Sequence, residues 1–365
     1  MLMQLRLEAQ KEKNKMFKLR STLETLIPYT SETNPFPITL NANEYPTDLP
    51  KEVKDIIIKR LTELDFNRYP LSDTSIRNKI ATEYGLETEN IFLGNGSSQI
   101  LAALCYSFAA ENSSIVYPAP SFSMYNIYAK LADRKGVGVE LEEDFNFNRD
   151  KFLDVCQKEN ASLIILCNPN NPTGQVISNS DVEHIAKKST CPVILDEAYM
   201  EFYDQSATHL MTKYPNLAIT RTFSKAYSLA SARIGYILAS KEIITTLSKV
   251  LPPYNINSLS LISAEVVWDM RDMFKKRISG IIAERERVEN ELAKMNKFKV
   301  YNSKANFILF KTQDRETTKS IFNKLKEKGI IVRDFSSHPL LDTCLRVTLG
   351  TREENDLFLK EISSF

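Results

Sequence analysis

Histidine is scarce in this sequence, and the few histidines stand apart from other metal-binding residues. The 365 residues include three of them, His184, His209 and His338, and none lies in a cluster with cysteines or acids. A zinc site needs several such ligands together, and a Ser-His-Asp triad needs a histidine that its partners can reach. The sequence therefore argues against a metal site and weakens the case for a triad hydrolase.

Cysteine pairs and long apolar runs are also missing. The five cysteines are scattered and form no CxxC pair, so the sequence predicts a reducing cytoplasm rather than secretion. The first residues, MLMQLRLEAQKEKNKMFKLR, hold no apolar run long enough for a signal peptide. No segment approaches the roughly 20 apolar residues that span a bilayer. We expect a helical extension at the N-terminus and no membrane partner.

An excess of charge of either sign is absent too. The net charge is +1, from 47 basic and 46 acidic residues, so nothing in the overall charge favours a nucleic-acid partner. The composition is that of an ordinary globular protein, with 43% hydrophobic residues, and can supply a full core. A chain of this length predicts about two domains.

Short apolar runs that end in Gly, Pro, Asn or Ser recur through the first two thirds of the chain. Their unbroken apolar character favours strands of a parallel sheet that helices cover on both faces. Helical patterns at 97–109, 121–133 and 178–189 separate the runs, which predicts an α/β fold. The runs are NIFLGNG (90–96), SSIVYPAP (113–120), SLIILCNPN (162–170), CPVILDEAY (191–199) and LAITRTFS (217–224).

The pattern changes near residue 255. One long charged helix fits 263–295, and strand and helix patterns follow it to the C-terminus, which predicts a smaller α+β domain. We therefore expect a large domain over 46–254 and a small domain over 255–365. The segment 1–45 precedes the first helix of the large domain, and we expect it to join the small one.

Polar and special residues follow the predicted strands at their carboxyl ends. In an open parallel sheet these ends meet at one edge, and ligands bind in the crevice beyond it. The sequence therefore predicts a binding site there. The residues at the five strand ends are Gly94–Ser98, Pro118–Phe122, Asn168–Gly174, Asp196–Tyr199 and Ser224–Lys225.

One lysine, Lys225, stands among hydroxyl side chains in the stretch TFSKAYSLASARIGY, whose other charged residue is Arg233. A lysine amine attacks carbonyl groups when burial or a nearby cation lowers its pKa. Its place after a predicted buried strand favours that role over the alternative, an ordinary surface lysine. Arg233, Ser224 and the turn GNGSS (94–98), which opens a helix, would make a phosphate cradle. Taken alone, that turn fits an ordinary strand–helix connection as well as it fits a phosphate site.

An aspartate and an asparagine-rich turn complete the candidate site. Asp196 ends the buried run VIL, where a carboxylate needs a cation, either a basic side chain or the protonated ring nitrogen of a ligand. NPNNPTG (168–174) is a turn in which Asn171 either caps the backbone or binds a ligand oxygen. A reactive lysine, an aspartate for a ring nitrogen and a phosphate cradle are together what pyridoxal phosphate requires.

The motifs NPNNPTG, DEAY and TFSKAYSLASARIGY, in this order and spacing, resemble the fold type I pyridoxal-phosphate-dependent aminotransferases. The resemblance implies a large domain with a mostly parallel central sheet sandwiched by helices. It also implies a smaller α+β domain built from both chain ends. A further implication is a homodimer with shared active sites, in which residues 1–45 also meet the partner subunit.

Further motifs from residue 26 to the end are similar to those of the histidinol-phosphate aminotransferases. This implies amino transfer between L-histidinol phosphate and 2-oxoglutarate, giving imidazole-acetol phosphate and glutamate, in histidine biosynthesis. Alternatives on the same scaffold are an aminotransferase for another small phosphorylated amine or an aromatic amino acid, and a phospho-amino-acid decarboxylase. A regulator without activity is disfavoured because Lys225 is intact. The motifs are LIPY (26–29), LNANEYPT (40–47), NRYP (67–70), PPYNINSLS (252–260), ANFIL (305–309), GIIVRD (329–334) and LRVTLGTREEN (345–355).

The resemblance also implies roles for individual residues in the cofactor site. Lys225 would hold pyridoxal 5′-phosphate as a Schiff base and move a proton between the substrate's α-carbon and the cofactor. Asp196 would keep the ring nitrogen protonated, so that the ring draws electrons. Tyr199 and Asn171 would hydrogen-bond the ring's phenolic oxygen, and Phe122 would stack on the ring. The residues that would hold the phosphate are Ser97, Ser98, Ser224 and Arg233, with Tyr69 reaching in from the partner subunit.

Two arginines carry the expected substrate recognition. By the same resemblance Arg346 would clamp the carboxylate of glutamate, and Arg333 would help it bind the phosphate of the amine substrate. A guanidinium suits both tasks because its planar fork matches carboxylate and phosphate. Without the resemblance, surface salt bridges remain the alternative for both arginines. Tyr29 and Asn43 would line the substrate pocket.

Overall fold

The computed structural model describes residues 20–24, 26, 36–70 and 72–365. The α-helices are α1 (Ser21–Glu24), α2 (Lys51–Thr62), α3 (Thr74–Tyr84), α4 (Gly96–Phe108), α5 (Met124–Leu131), α6 (Arg149–Lys158), α7 (Asn179–Lys188), α8 (Lys241–Val250), α9 (Ser258–Asp269), α10 (Asp272–Lys294), α11 (Arg315–Glu327) and α12 (Arg352–Ser363). Short 3₁₀ turns lie at Thr88–Asn90, Glu143–Phe145, Met200–Phe202 and Thr208–Leu210.

The strands form a large sheet and a small one. They are β1 (Ile38–Leu40), β2 (Ile91–Gly94), β3 (Ser114–Ala119), β4 (Lys135–Glu140), β5 (Ala161–Cys167), β6 (Val193–Asp196), β7 (Leu217–Thr222), β8 (Gly235–Leu238), β9 (Lys299–Val300), β10 (Phe307–Lys311), β11 (Ile330–Asp334) and β12 (Cys344–Thr348). The five strands predicted from apolar runs are β2, β3, β5, β6 and β7.

The large sheet is mostly parallel, as the apolar runs predict. Its order is β2-β8-β7-β6-β5-β3-β4, and β8 alone among these strands runs in the opposite direction to the others, so that its pairs with β2 and β7 are antiparallel. Strands β6 and β7 are buried along their whole length. Such burial on both faces is why their sequences are continuously apolar rather than alternating.

Helices cover the large sheet on both faces. Neighbouring residues of β6 point to opposite sides, so that Leu195 joins one apolar core and Ile194 joins the other. The first core also contains residues of α2, α3, α6, α7 and α9, and the second contains residues of α4, α5 and α8. This sandwich confirms the predicted α/β architecture.

The small sheet combines one strand from near the N-terminus with four from the C-terminal part of the chain. Its order is β1-β11-β12-β10-β9, and β1 lies parallel to β11, with Ile38 opposite Ile330. Helices α10, α11 and α12 supply apolar residues to its core, among them Val288, Ile321 and Phe358. Strand β1, which precedes residue 46, thus pairs with a strand from the C-terminal part of the chain, and the assignment of 1–45 to the smaller domain stays a proposal.

The prediction of one long helix over 263–295 is wrong in one respect, because two helices occupy this stretch. Helix α9 ends at Asp269 and α10 begins at Asp272. Helix α9 packs with the large sheet through Trp268, whereas α10 begins in the same core with Phe274 and continues into the core of the small sheet with Val288. The division at 254/255 stays a proposal, and by its packing α9 would belong with the large sheet.

Candidate active site

A cavity of about 610 Å³ lies where the carboxyl ends of the large sheet's strands meet the small sheet. Most of the residues predicted for the site line it. They are Asn43, Ser97, Ser98, Phe122, Asn171, Asp196, Tyr199, Ser224, Lys225, Arg233, Arg333 and Arg346. Their assembly from both sheets follows from strand direction, since β5, β6 and β7 all end at this edge.

One described residue of the predicted site, Tyr69, is not part of this cavity wall. Tyr69 is 77% exposed, and its ring stacks on that of Tyr254, with ring centroids 4.8 Å apart. A role in the active site of a partner subunit therefore stays a proposal. Tyr29 lies outside the described residues.

The turn between β2 and α4 forms one end of the cavity and is shaped for an anion. Gly96 has φ +70°, and a Cβ atom there would lie 2.8 Å from the guanidinium of Arg233, so only glycine fits without a shift. The Arg233 Nη1 donates a hydrogen bond to Ser224 Oγ at 3.4 Å. Ser97 and Ser98 stand in the first turn of α4, where backbone amides and the helix dipole favour negative charge.

Arg233 has no acidic partner among the described ion pairs. Its other hydrogen bond runs to the carbonyl oxygen of Ala230 at 3.2 Å. A guanidinium beside hydroxyl groups and helix N-terminal amides leaves an uncompensated positive site that a phosphate would fill. These residues therefore fit the phosphate of the cofactor that the sequence implies.

Asp196 lies at the end of β6, buried, with 3% of its surface exposed. Its Oδ2 accepts a hydrogen bond from the Tyr125 hydroxyl at 2.7 Å, and its Oδ1 accepts one from Thr220 Oγ1 at 3.1 Å. No basic side chain pairs with it in the part of the chain that the structure describes. Burial raises the pKa of Asp196, and the two hydroxyl groups oppose that rise. A cationic ring nitrogen in the cavity would supply the missing partner.

Lys225 follows β7 and extends into the cavity, where its Nζ donates a hydrogen bond to the carbonyl oxygen of Ala42 at 3.0 Å. Burial, with a smaller contribution from Arg346, lowers the pKa of Lys225 to about 8. About a tenth of such an amine is neutral at pH 7, against roughly one part in three thousand for an ordinary lysine. The site therefore holds a lysine with nucleophilic character.

The Tyr199 hydroxyl is oriented by two asparagines. Asn43 Nδ2 donates to it at 3.0 Å and Asn171 Nδ2 at 3.3 Å. Asn43 is itself held in the left-handed region, at φ +54°, by Thr348, whose Oγ1 accepts from Asn43 N at 3.0 Å. Because the phenolic oxygen already accepts two hydrogen bonds, its own proton is available to a ligand in the cavity.

The two arginines lie side by side in the wall that the small sheet contributes. Arg333 of β11 is directly opposite Arg346 of β12. Arg346 donates to Asn171 Oδ1 at 2.5 Å and to the carbonyl oxygen of Asn41 at 2.7 Å. The ring of Phe335 lies within about 6 Å of both guanidinium groups, 6.0 Å from Arg333 and 5.8 Å from Arg346. This pair is suited to a carboxylate or a phosphate.

Sequence reasoning missed several residues of this site. Tyr125 and Thr220 hold Asp196, and the loop after β11 brings His338 to the cavity wall. One signal was present, since Tyr125 follows Phe122 by three residues and therefore shares its side of the helical turn. Nothing in the local pattern marks His338, whose ring Nδ1 accepts a hydrogen bond from the backbone of Leu340 at 3.2 Å.

The described residues contain no group of three or more His, Cys, Asp or Glu side chains that could hold a metal ion. None of the helices described here is both long enough and apolar enough to cross a membrane.

Known proteins resemble this chain over nearly its full length. Residues 37–362 match the family model described as aminotransferase class I and II. The histidinol-phosphate aminotransferase of Ruminiclostridium cellulolyticum is 37% identical over 349 residues, covering 94% of this chain and 97% of that protein. The enzyme of the same name from a Thermoanaerobacter species is 40% identical, covering 91% and 93%.

A solved structure shares the fold at lower identity. It is a histidinol-phosphate aminotransferase from Sinorhizobium meliloti, in complex with pyridoxal-5′-phosphate. The TM-score is 0.87 at 22% identity, and the match covers 96% of this chain and 98% of that one. At this identity the likeness concerns the fold alone.

Proposed function

The chain belongs to the class I and II aminotransferases, and on that premise we propose that it transfers an amino group between L-histidinol phosphate and 2-oxoglutarate. The products would be imidazole-acetol phosphate and glutamate, in a step of histidine biosynthesis. Its cofactor is pyridoxal 5′-phosphate. The observation that carries the proposal is the paired Arg333 and Arg346 in the wall of the cavity that holds Lys225.

The bound cofactor supplies a carbonyl group that condenses with amines and a ring that withdraws electrons from the substrate's α-carbon. Lys225 would hold the cofactor through Nζ. After release by the substrate amine, the same Nζ would take a proton from the α-carbon and return one. A pKa of about 8 suits both directions near neutral pH, because the amine can gain or lose a proton at small cost.

The remaining cofactor contacts would come from the edge of the large sheet. Asp196 would hold the proton on the ring nitrogen, and the Tyr199 hydroxyl would donate to the phenolic oxygen, beside Asn171. Arg233 and Ser224, with the first turn of α4, would bind the phosphate. Phe122 lies in the cavity wall, where a stacked ring would meet it.

Substrate choice would depend on one pocket that serves two substrates in turn. Glutamate presents a carboxylate to this pocket, and L-histidinol phosphate presents a phosphate. Arg346 would contact both groups, because its bonds to Asn171 and Asn41 fix its position. Arg333 would add a second guanidinium for the larger charge of the phosphate.

We also propose a homodimer with shared active sites, and the cytoplasm as its location. An exposed Tyr69 stacked on an exposed Tyr254 is suited to an interface, where aromatic residues are enriched. All five cysteines are free, which suits a reducing compartment.

The test is a panel of amines with 2-oxoglutarate, in which glutamate formation is followed. L-histidinol phosphate should give the highest kcat/KM. Higher values with another small phosphorylated amine or an aromatic amino acid would replace this substrate assignment. Carbon dioxide released from a phosphorylated amino acid without 2-oxoglutarate would point to the decarboxylase alternative.

A further inference from the structure

The carboxylate of Asp196 is held by two neutral hydroxyl groups from two other elements. Tyr125 of α5 donates to Oδ2 at 2.7 Å, and Thr220 of β7 donates to Oδ1 at 3.1 Å. Both donors are fully buried. Each carboxylate oxygen therefore has one fixed donor on the protein side.

Packing leaves the Tyr125 ring little freedom. It meets the ring of Phe122 edge-on, with centroids 5.5 Å apart, and the ring of Tyr117 at 5.8 Å. Phe122 lines the cavity, and Tyr125 stands behind it in the core. Tyr125 thus connects the cavity residue expected to stack on the cofactor with the one expected to hold its ring nitrogen.

The two hydroxyl groups act as donors and bring no charge. Burial, followed by the negative charge of Asp196, raises the pKa of Tyr125 well above its usual value, so its proton stays in place. Hydrogen bonds to a carboxylate favour its ionised form. A lysine or arginine in their place would neutralise Asp196 and weaken its attraction for a cationic ring. Two neutral donors instead leave the whole negative charge for the ligand.

We propose that Tyr125 and Thr220 are positioning residues that keep Asp196 ionised and aimed at the cofactor's ring nitrogen. This inference rests on the cofactor site of the proposed function and is independent of the amine substrate. It explains how a carboxylate without a basic partner among the described residues can stay charged in a buried position.

Other titratable groups also influence Asp196. Glu197 follows it in the chain and opposes its ionisation, but Glu197 has its own partner in Arg221, with Nη2 to Oε2 at 2.7 Å. Burial raises the pKa of Cys167, at the end of β5, to about 12, so its thiol adds no charge near neutral pH. The tyrosines that interact with Asp196 are Tyr125 of α5, Tyr128 of the same helix and Tyr199 beyond β6.

The test measures the dissociation constant of pyridoxal phosphate from the full chain between pH 5 and 9. Tyr125→Phe removes one hydroxyl group and leaves the ring in place. At neutral pH we expect affinity to fall about tenfold or more, since a hydrogen bond to a charged group is lost. Without that donor the pKa of Asp196 rises further. The loss of affinity on the acid side should therefore begin at a higher pH, by about one pH unit.

Thr220→Val provides a second variant and Tyr84→Phe a matched control. Because the hydrogen bond from Thr220 is the longer one, Thr220→Val should move the acid-side loss of cofactor affinity to higher pH by less than Tyr125→Phe does. The double variant should show a larger pH shift than either single variant. Tyr84 also hydrogen-bonds through its hydroxyl, to that of Tyr236 at 3.0 Å, away from the cavity. Tyr84→Phe should leave cofactor affinity unchanged at every pH.

Two results would overturn the inference. One is a wild-type dissociation constant for Tyr125→Phe across the whole pH range. The other is an equal loss at every pH, which would indicate packing alone. If Tyr125→Phe does not fold, Thr220→Val decides, and an unchanged pH dependence in that variant overturns the inference. Normal cofactor binding by the wild type without transfer from L-histidinol phosphate would refute the proposed substrate instead.

Discussion

At the scale of single residues, the cavity sets the chemistry of Lys225. Burial and, to a smaller extent, the positive charge of the neighbouring Arg346 disfavour its ammonium form, while part of the side chain stays accessible from the cavity. The pKa near 8 is therefore maintained at a cost to the stability of the cofactor-free protein. That cost can be measured separately from activity.

Lys225→Met should stabilise the cofactor-free protein below pH 8. A pKa lowered from 10.5 to about 8 corresponds to roughly 3 kcal/mol, which solvent access through the cavity mouth reduces to about 2 kcal/mol. Between pH 8 and 10.5 the unfolded chain binds more protons than the native protein, so wild-type stability rises with pH. The advantage of the variant should therefore shrink across that window.

Urea unfolding at pH 7 and pH 10 measures this difference. The exposed Lys276 provides a control, since Lys276→Met should give the same small difference at both pH values. A Lys225→Met advantage that did not change with pH would mean that the lysine is not held in a depressed state.

Replacing Arg346 and replacing Arg333 should change the KM values of the two substrates in different ways. Arg346→Ala should raise KM for glutamate and for the phosphorylated amine together, since one guanidinium serves both. Arg333→Ala should raise KM for the phosphorylated amine more, about tenfold or above for a lost charged hydrogen bond. Arg315→Ala, on an exposed surface, is the control. Equal and small effects of Arg333→Ala on both substrates would favour a surface salt-bridge role.

At the scale of elements, a buried ion network joins the ends of β6 and β7, which present Asp196 and Lys225. Arg221 of β7 contacts Glu197 at 2.7 Å and Glu201 at 3.2 Å, and all three side chains are buried. Glu197 is further fixed by Ser206 Oγ at 2.7 Å. Removing one member leaves buried charge without a partner, which is strongly destabilising.

Arg221→Met should lower the free energy of unfolding by about 3–5 kcal/mol. Burial already raises the pKa of Glu201 and Arg221 opposes that rise, so the variant should take up protons and lose less stability at pH 5 than at pH 8. Arg352→Met removes an exposed arginine and should cost less than about 1 kcal/mol. Denaturant unfolding at pH 5 and pH 8 measures these changes in the free energy of unfolding. An equal loss of unfolding free energy in Arg221→Met and Arg352→Met would show that the buried network stabilises the protein no more than an exposed ion pair does.

The elements that sequence reasoning missed lacked local signals. Strand β4, KGVGVE, has two glycines and is largely accessible at the sheet edge, with Val139 its one buried residue, and β8 is only four residues long. The break between α9 and α10 contains neither proline nor glycine. Beyond it, α10 passes from the core of the large sheet, at Phe274, to that of the small sheet, at Val288, and no local sequence signal marks this change. The five buried strands were predictable because burial on both faces leaves a continuous apolar run.

At the scale of the whole molecule, the site depends on contacts between distant parts of the chain. Asn43 reaches Tyr199 across 156 residues, and Arg346 reaches Asn171 across 175. Strand direction could predict that Lys225, Asp196 and Asn171 share one edge. It could not predict Tyr125 and Thr220 behind Asp196, because those contacts depend on how helix and sheet pack. Resemblance to a family supplied the substrate arginines.

The proposed dimer predicts complementation between two weak variants. Lys225→Ala and Tyr69→Ala chains that exchange subunits should form about half heterodimers. One site of each heterodimer would combine an intact lysine with an intact tyrosine, so activity should recover to about a quarter of wild type. A tag pull-down must first prove exchange. Activity that stayed at the level of the separate variants after proven exchange would exclude the shared site.

We propose above that this cavity is where an amino group moves from L-histidinol phosphate to 2-oxoglutarate. The most direct measurement is glutamate formation by the cofactor-loaded protein from these two substrates, with Lys225→Ala measured beside it. We expect steady turnover for the wild type and a loss of several orders of magnitude for the variant. A wild type that binds the cofactor but forms no glutamate from L-histidinol phosphate, or an active Lys225→Ala protein, would contradict this proposal.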